Sequence, residues 1–517
     1  MIAAAVLTSC GPAKDDTDSS TATDASTGSS APSSSTTDDL PTGDPTPTSE
    51  GGETSTADDT STGADTTTAD DTTTDGPGCM SAPAVRLEAL LSELQADLSA
   101  LDLAAQPFTR YVSMAHLHNA GQCDPELALA REAFAKLVNA LSDQPNIVAP
   151  AHIGADGLLL RIDLRDYGWD GEITGGDMQV FPDTWELIAR QNAYAVQHPG
   201  ELAAAIQEAT ATDLPLLPVD AVIAAAAVPP LYYDVLRTPT SLAELAQKLE
   251  VDLAAQLAEE MASDPDDVAR ATLHISDVVD FNRVIDRHQL ASDSAAALWR
   301  THDFIDDVGT HDPFFHPFDF EADVSEVLYS LANGLHGYMV VDPAGDRLDG
   351  TPQEIEQDFM FPGEPVRPGL SCMGCHTQGL IKANDDLRFD LDNGMLEPVF
   401  DADTKDKIRN VNPIREEMDQ LFTADIQRFT DALADAGVLL GPEEPVTTVF
   451  ARFAEPVDLT RAAAELSLPV DELAASLGVL PNELAGLANG TVSREVFTAS
   501  FAEAVCALEL GKTAACP

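Results

Sequence analysis

Five consecutive residues, Cys372-Met373-Gly374-Cys375-His376, carry the most specific chemistry in this 517-residue chain. Two thiols separated by two residues on one turn reach the two vinyl groups of a single porphyrin and form thioethers, and a histidine that comes next is placed to ligate the iron. Cys372 and Cys375 are therefore the expected attachment points of one covalent haem c, with His376 as its proximal iron ligand and Gly374 leaving room for the macrocycle. Two other uses of a Cys-x-x-Cys pair fit less well. A thioredoxin-like redox disulfide needs a βαβ setting, and a zinc site needs a second ligand pair; the surrounding pattern supplies neither, and the other cysteines are distant and not paired in spacing.

The second axial ligand is less clearly written. Haem proteins of this kind often take a methionine from a loop some tens of residues after the histidine. Met395, in the loop-like run Asp392-Asn-Gly-Met-Leu-Glu-Pro398, comes early; Met418 has the better spacing but lies in a helical pattern, where methionine commonly fills core. Histidine is the rival. His302, His311 and His316 share a segment with Phe304, Phe314, Phe315 and Phe318 that would suit an aromatic porphyrin wall, although surface and packing roles are the ordinary fate of such histidines. An open sixth position, serving small-ligand or peroxide chemistry, is the remaining alternative.

The setting for this motif is acidic and extracytoplasmic in character. Lys and Arg number 27 against 88 Asp and Glu, a formal net charge of −61. That balance excludes a nucleic-acid binder, which needs clustered cations, and disfavours polybasic docking on lipid; a basic redox partner is the protein that such a field would steer. No apolar run reaches the roughly 20 residues of a membrane span. Leu7-Thr8-Ser9-Cys10 resembles a lipoprotein lipobox, so residues 1–10 read as a signal remnant with Cys10 as the lipidated residue. Residues 11–78, mostly Ser, Thr, Asp, Gly and Pro, cannot bury enough apolar surface to offset ordering, and are expected to be a disordered acidic tether. Gly11 after the lipidated cysteine favours outer-membrane sorting, and the expected location is the bacterial cell envelope, with membrane contact only through the lipid. Four cysteines remain: Cys79, Cys123, Cys506 and Cys516 allow three connectivities, of which Cys79–Cys123 and Cys506–Cys516 are favoured in an oxidising compartment.

The elements that must hold the motif read as mostly α with a minority of short strands, an α+β class. Apolar spacing predicts helices over 84–103, 110–119, 126–141, 184–198, 218–227 and 242–258, the last opened by Thr240-Ser241 with Glu244 as a capping-box partner. A strand is expected over 157–166, a hairpin over 337–348, a long helix over 415–436, and three or four helices between 458 and 510 broken at Gly478, Gly486 and Gly490. The domains follow: 79–330, mostly helical and of unknown role; 331–440, a cytochrome c-like haem-binding segment; and 441–517, a C-terminal helical bundle. Residues 458–477 have the rhythm of a helix-turn-helix, but Asp471 and Glu472 stand where DNA reading needs cations. The pairs Asp163/Asp166 and Asp306/Asp307 are read as solvated faces in an acid-rich chain rather than as catalytic carboxylates.

The residues from about Phe108 to Ala436 resemble a family of secreted monohaem c-type cytochrome-like (lipo)proteins from myxobacteria and planctomycetes. The likeness lies in Arg110-Tyr-Val-Ser-Met-Ala-His-Leu-His-Asn-Ala-Gly121, Leu160-Arg-Ile-Asp-Leu-Arg-Asp-Tyr-Gly-Trp169, Pro229-Pro-Leu-Tyr232, Asn282-Arg-Val-Ile-Asp-Arg-His288, Asn333-Gly-Leu-His-Gly-Tyr338 and Gly369-Leu-Ser-Cys-Met-Gly-Cys-His376. It implies haem and export, and adds no substrate. The function expected is one-electron transfer by a lipid-anchored monohaem cytochrome, an electron carrier rather than a catalyst. The alternative is a binding or sensor module in which haem is structural or gas-sensing, or a peroxidase-like enzyme with an open haem, because some 290 residues of body precede the motif.

Overall fold

A computed structural model describes residues 84–154, 156–263, 265–274, 281–352, 358, 363–396, 398–441 and 443–516. The expected lipidation at Cys10, the acidic tether at 11–78 and Cys79 lie outside the described residues. The architecture is mixed α+β, with helix outweighing strand, as the sequence implies. Among the described residues no helix is long and apolar enough to cross a membrane.

Twelve strands are described: β1 Thr109–Ser113, β2 Ala151–Ile153, β3 Leu159–Asp163, β4 Ile173–Thr174, β5 Val180–Phe181, β6 Leu216–Pro218, β7 Val268–Leu273, β8 Arg283–Leu290, β9 Asp293–Asp303, β10 Ser325–Ser330, β11 His336–Val341 and β12 Arg347–Leu348. A small sheet runs β2-β3-β1-β6, antiparallel except for β1 with β6. A six-stranded antiparallel meander runs β12-β11-β10-β9-β8-β7, and β4 and β5 form a separate hairpin. The expected hairpin is β11–β12, with Val340 opposite Leu348.

Three sequence readings need correction. Residues 110–119 are not one helix: Thr109–Ser113 is strand β1, and only Ala115–Asn119 is helical. Every residue of β1 is buried, so the strand shows no polar and apolar alternation to betray it. The terminal nitrogens of its buried Arg110 donate to the Pro107, Thr109 and Thr210 carbonyls and to Asp183 at 2.9 Å. The helix opening at Thr184 ends at Gln191, because the Asn192 side chain accepts the Tyr194 N–H and donates to the Ala221 carbonyl. Residues 242–258 divide into Leu242–Lys248 and Leu253–Ser263, with Glu250 at φ +56° in the break. Ser241 caps the first of these, but Glu244 reaches back to the N–H and hydroxyl of Thr240 rather than to Ser241.

The large sheet was legible only at its β11–β12 end. Its other strands carry charges that are buried rather than solvated: Arg270 holds Asp286 through two bonds at 2.6 and 2.8 Å across the β7–β8 register, and Arg283 holds Asp303. Buried ion pairs of this kind erase the alternation by which strands are recognised. Strands β10 and β11 pair from Ser325–Val341 to Ser330–His336, so the boundary drawn at 330 falls inside one hairpin. The main core gathers the Asp124–Ala140 helix, both sheets, the Val219–Ala226 and Leu231–Leu236 helices and the Arg415–Asp435 helix. At the C-terminus, the Leu459–Glu465, Val470–Ser476 and Arg494–Ala507 helices close over their own core of Val457, Leu473, Leu484, Phe497 and Phe501. Tyr194 and Val196 join that core, and Arg494 grips Glu465 through two buried bonds at 2.7 and 2.8 Å.

Candidate functional site

The cysteine motif forms the short helix Leu370–Cys375, and its position follows from its first residue. Gly369 has φ +86°, and a Cβ there would lie 2.6 Å from the Ala227 carbonyl oxygen and 2.7 Å from Tyr232 Cδ2. Glycine alone permits that approach. Leu370 and Met373, one turn apart, are fully buried in the main core, which leaves the adjacent face to Cys372 and Cys375. Both cysteines are half-buried thiols spaced i, i+3, side by side on that face. The turn is also tied from behind, where Ser371 donates to buried Asp358 at 2.5 Å and accepts from the Arg367 N–H at 2.9 Å.

His376 caps this helix, donating its N–H to the Cys372 carbonyl at 2.8 Å. Its Nδ1 lies 2.9 Å from the Gly379 carbonyl oxygen, so Nδ1 carries the proton and donates. That bond leaves the Nε2 lone pair available and fixes the ring, the arrangement that a metal-ligating histidine requires. Burial, partly offset by the Gly379 carbonyl, lowers the pKa of His376 and favours the neutral ring. Gly379 takes φ +99° and lies against the Arg415–Asp435 helix, where a Cβ on it would sit 3.3 Å from Phe429 Cδ1 and 3.4 Å from Ile426 Cα.

The neighbouring wall comes from β11. Tyr338 stacks on His376 at 6.1 Å between ring centroids, and its N–H donates to the Tyr232 hydroxyl at 3.0 Å. His336 shares its strand face, two residues away, packing edge-on to Tyr338 at 6.2 Å and stacked on Phe429 at 4.3 Å. The Tyr338 hydroxyl and His336 Nδ1 are buried polar atoms with no hydrogen-bond partner. Burial raises the Tyr338 pKa far above the usual phenol range, with Cys372, Glu444 and Cys375 adding; burial holds His336 well below the usual imidazole value, with His376 and Lys136 adding. Behind Phe429, Lys136 and Glu444 form a buried ion pair at 2.8 Å.

The other sequence candidates are placed as follows. Met395 follows the Asp386–Asp392 helix and is 58% exposed; Met418 is 3% exposed in the main core. His302 is held by Asp286 at 3.1 Å, His311 by Asp306 at 2.9 Å and His316 by Asp319 at 3.3 Å, so each of the three has a carboxylate partner. Their phenylalanines are divided: Phe304 packs on Phe320, Phe314 joins Leu387, Leu391 and Ile408, and Phe315 is 59% exposed. Asp163 is spent on Arg165, and Asp306 on the Val308 N–H and His311. Cys506 and Cys516 form a disulfide, as expected; Cys123 is disulfide-bonded too, and Cys79, the partner expected for it, lies outside the described residues.

His336 and Tyr338 were not singled out as site residues, although the sequence carried a signal for them. Tyr338 lies in the predicted hairpin and His336 just ahead of it, and two polar rings at i and i+2 of one strand share a face, with Gly337 between them marking a close approach. A Cβ on Gly337 would sit 2.4 Å from the Tyr329 ring.

Two thiols on one helical face, a tautomer-fixed histidine beside them and orphaned polar atoms in the adjoining wall are the donor set that a covalent haem asks for. Among the described residues, no three His, Cys, Asp or Glu are gathered as a cage for a bare metal ion. No protein-family model, no curated protein and no solved structure matches this chain.

Proposed function

We propose that the protein is an extracytoplasmic monohaem c-type cytochrome that transfers single electrons, anchored to the cell envelope through Cys10. The observation that carries this reading is the His376 Nδ1–Gly379 hydrogen bond beside the Cys372 and Cys375 thiols. It presents one imidazole lone pair next to two nucleophilic sulfurs on a turn held by Gly369. Bound there, a haem c would supply a one-electron iron couple.

The protein's own contributions follow from the residues. Cys372 and Cys375 would hold the porphyrin by thioethers, and His376 Nε2 would ligate the iron. The Gly379 carbonyl keeps the ligand's proton on Nδ1 and, by accepting it, raises the basicity of the ring. Tyr338, Phe429, Leu370 and Met373 keep the surroundings apolar, which tunes the potential through the local dielectric. A disulfide at Cys506–Cys516 suits an oxidising compartment, in keeping with export. The acidic surface would steer a basic electron-transfer partner, within a Debye length of about 8 Å at physiological salt. The resemblance to secreted monohaem proteins points the same way.

The test is spectroelectrochemical titration of protein made with a cytochrome c maturation system. One reversible one-electron couple with an unchanged low-spin spectrum through repeated cycles supports an electron carrier. A high-spin haem that turns over peroxide or changes with carbon monoxide would overturn it in favour of an open-haem enzyme or sensor.

A further inference from the structure

We propose that His336, rather than either methionine, is the second axial ligand of the haem. This inference rests on the haem reading above and adds to it the residue that closes the iron's coordination.

Three observations converge on His336. It is only 3% exposed, yet its Nδ1 has no hydrogen-bond partner, a costly state for a buried polar atom unless something outside the protein's own atoms completes it. It belongs to the wall of the cysteine motif: Tyr338 contacts both His336 and His376, and the Phe429 ring under His336 is the one that Gly379 abuts. Its position is also rigid. It pairs with Ser330 in the β10–β11 ladder, flanked by Gly337, whose absent Cβ makes room for the Tyr329 ring. A neutral imidazole with an unused lone pair on a rigid strand is a sound iron ligand.

The alternatives are engaged elsewhere. Met395 is largely in solvent, and Met418 is packed in the apolar core. His302, His311 and His316 are each bonded to a carboxylate. His336 has no such bond: Phe429 and Tyr338 pack against its ring, with the cations Lys136 and Arg428 close enough to act on it.

The experiment uses the full chain after haem maturation, with haem content first established by intact mass and the pyridine haemochrome. Wild-type protein is expected to be six-coordinate and low-spin, with a bis-imidazole paramagnetic resonance signature and without the long-wavelength charge-transfer band of methionine ligation. His336→Ala, at unchanged haem content, is expected to become high-spin, to bind carbon monoxide when reduced, and to return to low spin with added imidazole. His336→Met, closer in volume, serves where the alanine variant does not fold, and is expected to gain the methionine band and a higher potential. A wild-type methionine band, a high-spin wild type, or either variant keeping the wild-type spectrum overturns the assignment. A haem-free wild-type protein overturns the underlying haem reading instead, and does so at the mass measurement before any ligand question arises.

Discussion

Gly369→Ala tests how the motif is positioned. The new Cβ would meet the Ala227 carbonyl oxygen at 2.6 Å and the Tyr232 ring at 2.7 and 2.9 Å, at a φ of +86° that side chains rarely adopt. Backbone strain of about 1–3 kcal/mol and overpacking of about 1–3 kcal/mol add to roughly 2–6 kcal/mol. The damage also travels. Tyr232 accepts the Tyr338 N–H, and Tyr338 stacks on His376, so displacing one ring disturbs the wall opposite the proposed iron ligand. Gly437→Ala is the internal control. Gly437 has φ +77° but nothing within 4 Å of its would-be Cβ, so only the left-handed backbone cost of about 1–2 kcal/mol applies. Urea unfolding of the haem-free proteins gives the two stability losses, and haem content after maturation reports the site. Gly369→Ala should lose more stability and should also lose haem loading, whereas Gly437→Ala keeps its loading. Equal losses in the two variants, or full loading in Gly369→Ala, would refute the claim that this glycine sets the position of the cysteine turn.

Further outcomes can be checked on the same protein. Glu444→Gln strands the ammonium of Lys136, whose side chain is 2% exposed, and should cost about 3–5 kcal/mol; adding Lys136→Met should recover much of that loss in a double-mutant cycle. Burial lowers the pKa of His198, His288 and His302 to about 4, against an unfolded value near 6.5. Their contribution to stability is complete above the unfolded value and is lost as pH falls towards 4. Asp385, raised to about 6 by burial, and His116, raised by Asp220 against its burial, act in the opposite direction, while His336 and His376, both lowered by burial, add to the first three. Urea midpoints should therefore fall between about pH 7 and pH 5, and a rise would contradict this balance. Replacing Cys506 and Cys516 by serine opens a loop of sequence separation 10 and should cost about 2–3 kcal/mol in thermal unfolding.

The parts of this molecule that were legible in its sequence are those where local chemistry decides the outcome. The Arg415–Asp435 helix shows its 3.6-residue stripe, the β11–β12 hairpin its Pro343-Ala344-Gly345-Asp346 turn, and the cysteine turn its motif. Other elements were hidden because their character is set by distant partners. Strand β1 reads as a helix because both its faces are covered and its one charge, Arg110, is paid for by Asp183 at a separation of 73 residues. Strands β7 to β9 carry Arg270, Asp286, Arg287 and His302, which look solvated until Asp286 is seen between Arg270 and His302, and Asp425 beside Arg287. His336 was obscured for the same reason: its surroundings are set by Phe429 and His376, which reach it from other elements.

Covalent haem attachment is tested most directly by the intact mass and pyridine haemochrome of the matured protein, alongside Cys372→Ser/Cys375→Ser. One haem per chain in the wild type and none in the double variant is the expected result. A colourless wild-type protein with the mass of its polypeptide and lipid alone, or a double variant that keeps a covalent haem, would contradict it.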